Sequence, residues 1–347
     1  MKTPTPRSAR TVLCLAAWAA CLPYLALKTA WVSGSHIGIP EGSPLREGGG
    51  LLAAANALGV LLDSCVVVLA LALVRPWGAR LPAWLMLVPL WAATGFLSPI
   101  LIAFPVQSLH AAVAGGGASS AGSAGTSAES ELLDSWVWTT VYTGFVLQAL
   151  ALGALFVLYG RARWRSLIDG PVRPADRPES AVRPSHALLG SLGALLPGAV
   201  HAMWAAGLGF GLDHERRAAY DADTVVTEAS FTVLALLAAA GLLLAAGRRG
   251  GGRLLPPLVL VWTGSGALAC WGGWLLLNSL AGVGGTLGKQ PTAMMCALYA
   301  GQMLVGLGIA AFGGRLLTRR AAYVRADAPV PSAASVPGAP HAGRLPA

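Results

Sequence analysis

Eight stretches of more than about twenty residues are almost continuously apolar, at 11–32, 51–74, 82–104, 134–160, 186–210, 225–246, 254–280 and 292–314. At 1.5 Å per residue each crosses a hydrocarbon core of about 30 Å as a helix. Polar and charged residues fall almost entirely in the segments between. The pattern predicts an all-α integral membrane protein of about eight transmembrane helices.

Composition agrees with it. The chain is 55% hydrophobic and 11% charged, with a mean hydropathy of +0.63, whereas soluble domains are about one-quarter charged. The many glycines and alanines suit close helix packing in lipid.

Charge changes the picture by giving an orientation. Lys2, Arg7 and Arg10 precede the first span, and Arg75 and Arg80 lie between the second and third. Six arginines lie between 161 and 183, Arg248, Arg249 and Arg253 follow the sixth span, and five arginines follow the last. The alternate connections hold only Arg46, Arg216, Arg217 and Lys289. This alternation predicts both termini in the cytoplasm of a bacterial cell, with a multi-pass chain in the cytoplasmic membrane. It also accounts for the net charge of +9 without a nucleic-acid partner. The five cysteines lie within or beside apolar spans and form no CxxC, so neither a disulfide framework nor a zinc site is predicted.

Three segments lie outside the predicted core. Residues 114–130 are a Gly/Ser/Ala loop, 161–185 an Arg/Pro-rich linker, and 321–347 an Ala/Pro-rich tail expected to be disordered. The predicted units are therefore 1–160, the linker 161–185, 186–320 and the tail 321–347. The basic start and first apolar run resemble a secretory signal, with Cys21 in a poor lipobox. The repeat described next requires that this span be retained.

Lys28-x-x-Trp31-x-x-Gly34-x-x-x-Gly38 aligns with His201-x-x-Trp204-x-x-Gly207-x-x-x-Gly211 at an offset of 173. The same offset carries Arg75, Gly78 and Arg80 onto Arg248, Gly251 and Arg253. Tyr142-x-Gly144 matches Tyr299-x-Gly301 at 157, the difference of 16 being absorbed by the loop 114–130. The prediction is two four-helix repeats. Four is even, so both insert the same way round, about an axis along the membrane normal. The H-x-x-W-x-x-G pattern resembles small four-helix bacterial membrane proteins, and the Ala/Gly/Arg-rich style resembles actinobacterial chains. The resemblance covers about ten residues per half, departs at Lys28 where histidine is expected, and implies a four-helix unit but no activity.

Few residues can carry chemistry. Tyr24, Lys28 and Trp31 form one helical stripe near the predicted outer end of the first span, and His201 and Trp204 take the equivalent place. They read either as a polar mouth for an anionic or aromatic group, or as a snorkelling lysine beside an aromatic belt. Asp63 falls near the bilayer centre, where a carboxylate must be paired, protonated or hydrated. Glu228 sits near the start of the counterpart helix, and reads as a site residue or as an interfacial carboxylate. Asn56, Gln148, Asn278 and Gln302 read as interhelical hydrogen-bond partners. No histidine spacing supports haem or metal, Gly264-Ser265-Gly266 lacks a histidine partner for a serine protease, and no cofactor motif is present.

The candidate polar site is thus Asp63, Lys28, His201, Glu228, Trp31, Trp204 and Tyr24. It favours a transporter or small-molecule-binding membrane protein with a cavity between the halves. The alternative is a non-catalytic accessory subunit packed against another membrane protein or a further copy of itself. An intramembrane enzyme acting on a lipid or isoprenoid, with Asp63 or Glu228 as general acid, is a further alternative.

Overall fold

The computed structural model describes residues 7–47, 49–113, 132–165, 183–218, 220–246, 255–281 and 291–326. Nine α-helices are found there: α1 (Arg7–Val32), α2 (Gly49–Val74), α3 (Ala83–Val113), α4 (Ser135–Arg163), α5 (Pro184–Ala205), the short α6 (His214–Ala218), α7 (Ala222–Ala246), α8 (Leu255–Leu280) and α9 (Ala293–Ala326). Two 3-10 turns, Pro44–Glu47 and Pro76–Arg80, precede α2 and α3, and the described residues contain no strand. All the α-helices except α6 are long and apolar enough to cross a membrane. The chain is an all-α integral membrane protein.

Lipid explains both this choice and the surface. A spanning segment must satisfy every backbone group internally, which a helix does. Large apolar side chains point outward, Leu196 being 72% and Leu189 71% exposed, which in water would be costly and in hydrocarbon is not. Pro89, Pro99 and Pro105 all lie inside α3. There, small local adjustments and neighbouring helices make up for the backbone bonds they remove.

Three boundaries differ by five residues or more from those read in the sequence. α3 continues past residue 104 to Val113, and α9 runs past 321 to Ala326, taking in the first six residues of the segment expected to be a disordered tail. α5 stops at Ala205 and not at 210, because Gly207 takes a φ of +79°, a left-handed conformation that ends a helix. The loop 114–130, most of the linker 161–185 and the rest of the tail lie outside the described residues.

That helix end recurs. Gly34 and Gly207, both at positive φ, donate to the carbonyls of Trp31 and Trp204, and the next residues, Ser35 and Leu208, donate to Ala30 and Met203. Each is a Schellman end. Both indoles then reach forward six residues: Trp31 Nε1 donates to the Ile37 carbonyl and Trp204 Nε1 to that of Phe210, each at 2.8 Å. The second glycines, Gly38 and Gly211, both have φ of +73°. A Cβ at Gly38 would strike Val137 and one at Gly211 would strike Met294, residues 157 apart. Their carbonyls accept hydrogen bonds from the Asp134 amide and the Thr292 hydroxyl, which tie each loop to the start of α4 or α9.

The helices pack in two rings with the same order of neighbours. α1 touches α2, α2 touches α3, α3 touches α4 and α4 returns to α1; α5, α7, α8 and α9 do the same. The rings meet where α3 lies against α8 and α7. Gly95 and Gly266 face each other so closely there that a Cβ on Gly95 would come within 2.4 Å of the Gly266 carbonyl oxygen. Small residues that let backbones meet are the usual device for helix association in lipid.

Candidate functional site

α1 and α2 run antiparallel and face each other along one polar seam. Lys28 Nζ donates to Asn56 Oδ1 at 2.8 Å. One turn deeper, Gly59 leaves room for Tyr24 and for the Lys28 stem: an added Cβ would lie 2.9 Å from the Tyr24 hydroxyl and 3.4 Å from Lys28 Cε. Deeper still on α2 is Asp63. The stripe Asn56, Gly59, Asp63 thus follows helical spacing and meets the stripe Lys28, Tyr24, Cys21 on α1.

Lys28 lies 4.9 Å from the Trp31 ring centroid and 5.3 Å from that of Tyr24. Both distances are within cation–π range. Its ammonium is therefore held by two rings and one amide, and makes no ion pair with Asp63. Asp63 is 5% exposed and is hydrogen-bonded by the side chain of Gln148 from α4. Oδ2 of Asp63 and Oε1 of Gln148 are both buried without a partner.

In the other ring, His201 is 1% exposed. Its Nδ1 lies 2.5 Å from Glu228 Oε2 and its Nε2 3.0 Å from Gln302 Oε1. The ring thereby bridges Glu228 of α7 and Gln302 of α9 through its two nitrogens. Trp204 meets the ring edge-on at 5.4 Å and Phe231 lies 5.0 Å away. Towards the predicted outer end, the Tyr220 hydroxyl is buried and unpartnered. Burial raises its pKa above the ordinary tyrosine value, and the charges of Glu228 and Asp221 add to the effect.

Of the seven residues singled out from sequence, the structure gathers Tyr24, Lys28 and Asp63 into one seam, and His201 and Glu228 into one pair. The two groups sit in different rings, not in one cavity between the halves. Trp31 and Trp204 border these groups but spend their indole N–H groups on the loop carbonyls. Gln148 and Gln302, read as interhelical hydrogen-bond partners, make such bonds to the ionisable Asp63 and His201. The pairing of His201 with Glu228 was missed, although a histidine near the end of one span and a glutamate near the start of the next must lie at similar depth. Gly59 carried no signal beyond its place between Asn56 and Asp63.

A cavity of about 210 Å³ lies between α3, α4 and α8. Its lining is chiefly apolar, with Leu90, Leu97, Leu101 and Phe156 beside Thr94 and Ser98. Both hydroxyls donate to carbonyls of their own helix, Thr263 adds a third hydroxyl from α8, and no lining residue is ionisable. No family model matches the chain, and no curated protein or solved structure matches it.

Proposed function

We propose that this protein is a membrane carrier or small-molecule-binding protein, made of two copies of a four-helix unit, each with an ionisable cluster inside its own ring. The observation that carries the reading is the contact of the buried His201 with the partly buried Glu228, at 2.5 Å with Gln302 on the other ring nitrogen. Ionisable groups at membrane depth are costly, and they concentrate where ions, protons or polar solutes are bound. The Lys28–Asn56 contact occupies the equivalent place, so both units keep a polar contact between their first two spans with different side chains. The matching helix ends, glycine conformations and ring orders support the duplication.

A thermal-stability screen of the purified protein tests this. Small amines, carboxylates and aromatic solutes are added to wild type, Lys28→Met and His201→Leu. At least one class should raise the wild-type midpoint in a concentration-dependent way and leave one variant unmoved. The accessory-subunit reading draws on one specific observation: Asp63 is enclosed by helix packing and hydrogen-bonded by Gln148. No stabilising solute, together with stoichiometric co-purification of a second membrane protein, would establish that reading in place of the carrier.

A further inference from the structure

We propose that Asp63 is a proton-binding site, its carboxyl held as the neutral acid with Gln148 as its hydrogen-bonding partner. An ionised carboxylate only accepts hydrogen bonds, and an amide oxygen does likewise. Asp63 Oδ2 and Gln148 Oε1 are both buried without a donor, in side chains that are 5% and 1% exposed. No arrangement of an ionised pair supplies both oxygens. One proton on Oδ2, donated to Oε1, supplies both, while the Gln148 amide N–H donates to Oδ1. The neutral acid also avoids placing an unpaired negative charge in a low-dielectric interior.

The surroundings select a proton over a metal cation. The ionisable groups within electrostatic range of Asp63 are Lys28, Tyr24 and Cys21, all on α1, and α4 contributes the uncharged Gln148. Lys28 gives its hydrogen bond to Asn56 and its ring contacts to Tyr24 and Trp31, and makes no ion pair with Asp63. It does repel a second cation, and too few oxygens converge on Asp63 to replace a hydration shell. A proton needs one acceptor, and Gln148 provides it.

The second ring lacks this feature. At the repeat offset of 173 Cys21 becomes Ala194, Tyr24 becomes Pro197 and Asp63 becomes Leu236. The deep proton site therefore belongs to the first ring alone. The proposal deepens the carrier reading by naming a coupling proton, and rests on that reading only for the coupling.

Infrared spectroscopy of the full chain in lipid tests it without any solute. Wild type at neutral pH should show a protonated-carboxyl stretch that is absent in Asp63→Asn. In Gln148→Leu the band should move to higher frequency, because the acid loses its acceptor. Identical carboxyl regions in wild type and Asp63→Asn, both folded, would overturn the site. A band that is lost in Asp63→Asn but unmoved in Gln148→Leu would overturn the partnership. Failure of solute transport with the band in place would count against the carrier reading and leave the proton site standing.

Discussion

Trp91 and Trp262 hydrogen-bond reciprocally across the contact between α3 and α8: Trp91 Nε1 donates to Ser265 Oγ at 3.1 Å, and Trp262 Nε1 donates to Thr94 Oγ1 at 3.2 Å. Each indole meets the hydroxyl three residues beyond the other. Trp91, Thr94 and Gly95 on one helix correspond to Trp262, Ser265 and Gly266 on the other, all at an offset of 171. This is the contact pattern of two like surfaces meeting about a two-fold axis. Gly264-Ser265-Gly266, which invited a protease reading, is in fact part of this joint.

A side chain at the joint must push backbones apart. Gly95→Ala places a Cβ 2.4 Å from the Gly266 carbonyl oxygen, whereas Gly266→Ala places one 3.1 Å from the Trp91 oxygen. The first substitution should cost about 1–3 kcal/mol as overpacking, and the second measurably less. Thermal midpoints in one detergent check the order; equal midpoints would mean that the helices are not so close.

Trp31→Phe and Trp204→Phe each remove one indole-to-carbonyl bond while keeping an aromatic ring. Each should lower stability by about 1 kcal/mol. Trp204 is 2% exposed and Trp31 only half-buried, so the Trp204 change should be the larger. Limited proteolysis of the loops after α1 and α5 gives a second measure.

His201 and Glu228 should be energetically coupled. In a double-mutant cycle with His201→Leu and Glu228→Gln, the interaction energy should be about 1–2 kcal/mol. Additive effects on the unfolding midpoint would mean that the short contact contributes nothing.

The fold was legible from the chain because lipid leaves few options for apolar runs of this length, and glycines 34, 38, 207 and 211 announced the repeat through conformations only they adopt easily. The site was legible in part. Asp63, Lys28 and His201 stood out because charge is costly in hydrocarbon. Their neighbours did not, since Gln148, Gln302 and Gly59 are unremarkable residues until packing sets them against a charge. The Trp91–Trp262 joint was hidden for another reason: its offset of 171 falls two residues short of the one that aligns α1 with α5.

The orientation predicted from the arginines can be read directly. With the five native cysteines replaced, Ser120→Cys should react with a membrane-impermeant thiol reagent from outside, and Ala175→Cys only after permeabilisation. Labelling at 175 in intact cells would reverse the topology.

The carrier reading is tested most directly by solute-driven proton flux in proteoliposomes enclosing a pH-sensitive dye. The solute class giving the largest thermal shift is added to wild type, Asp63→Asn and His201→Leu at matched protein density. Wild type should move protons with the solute gradient, Asp63→Asn should move solute without protons or neither, and His201→Leu should lose at least tenfold in rate. Flux in both variants equal to that of wild type, or no solute-driven flux in wild type, would contradict it.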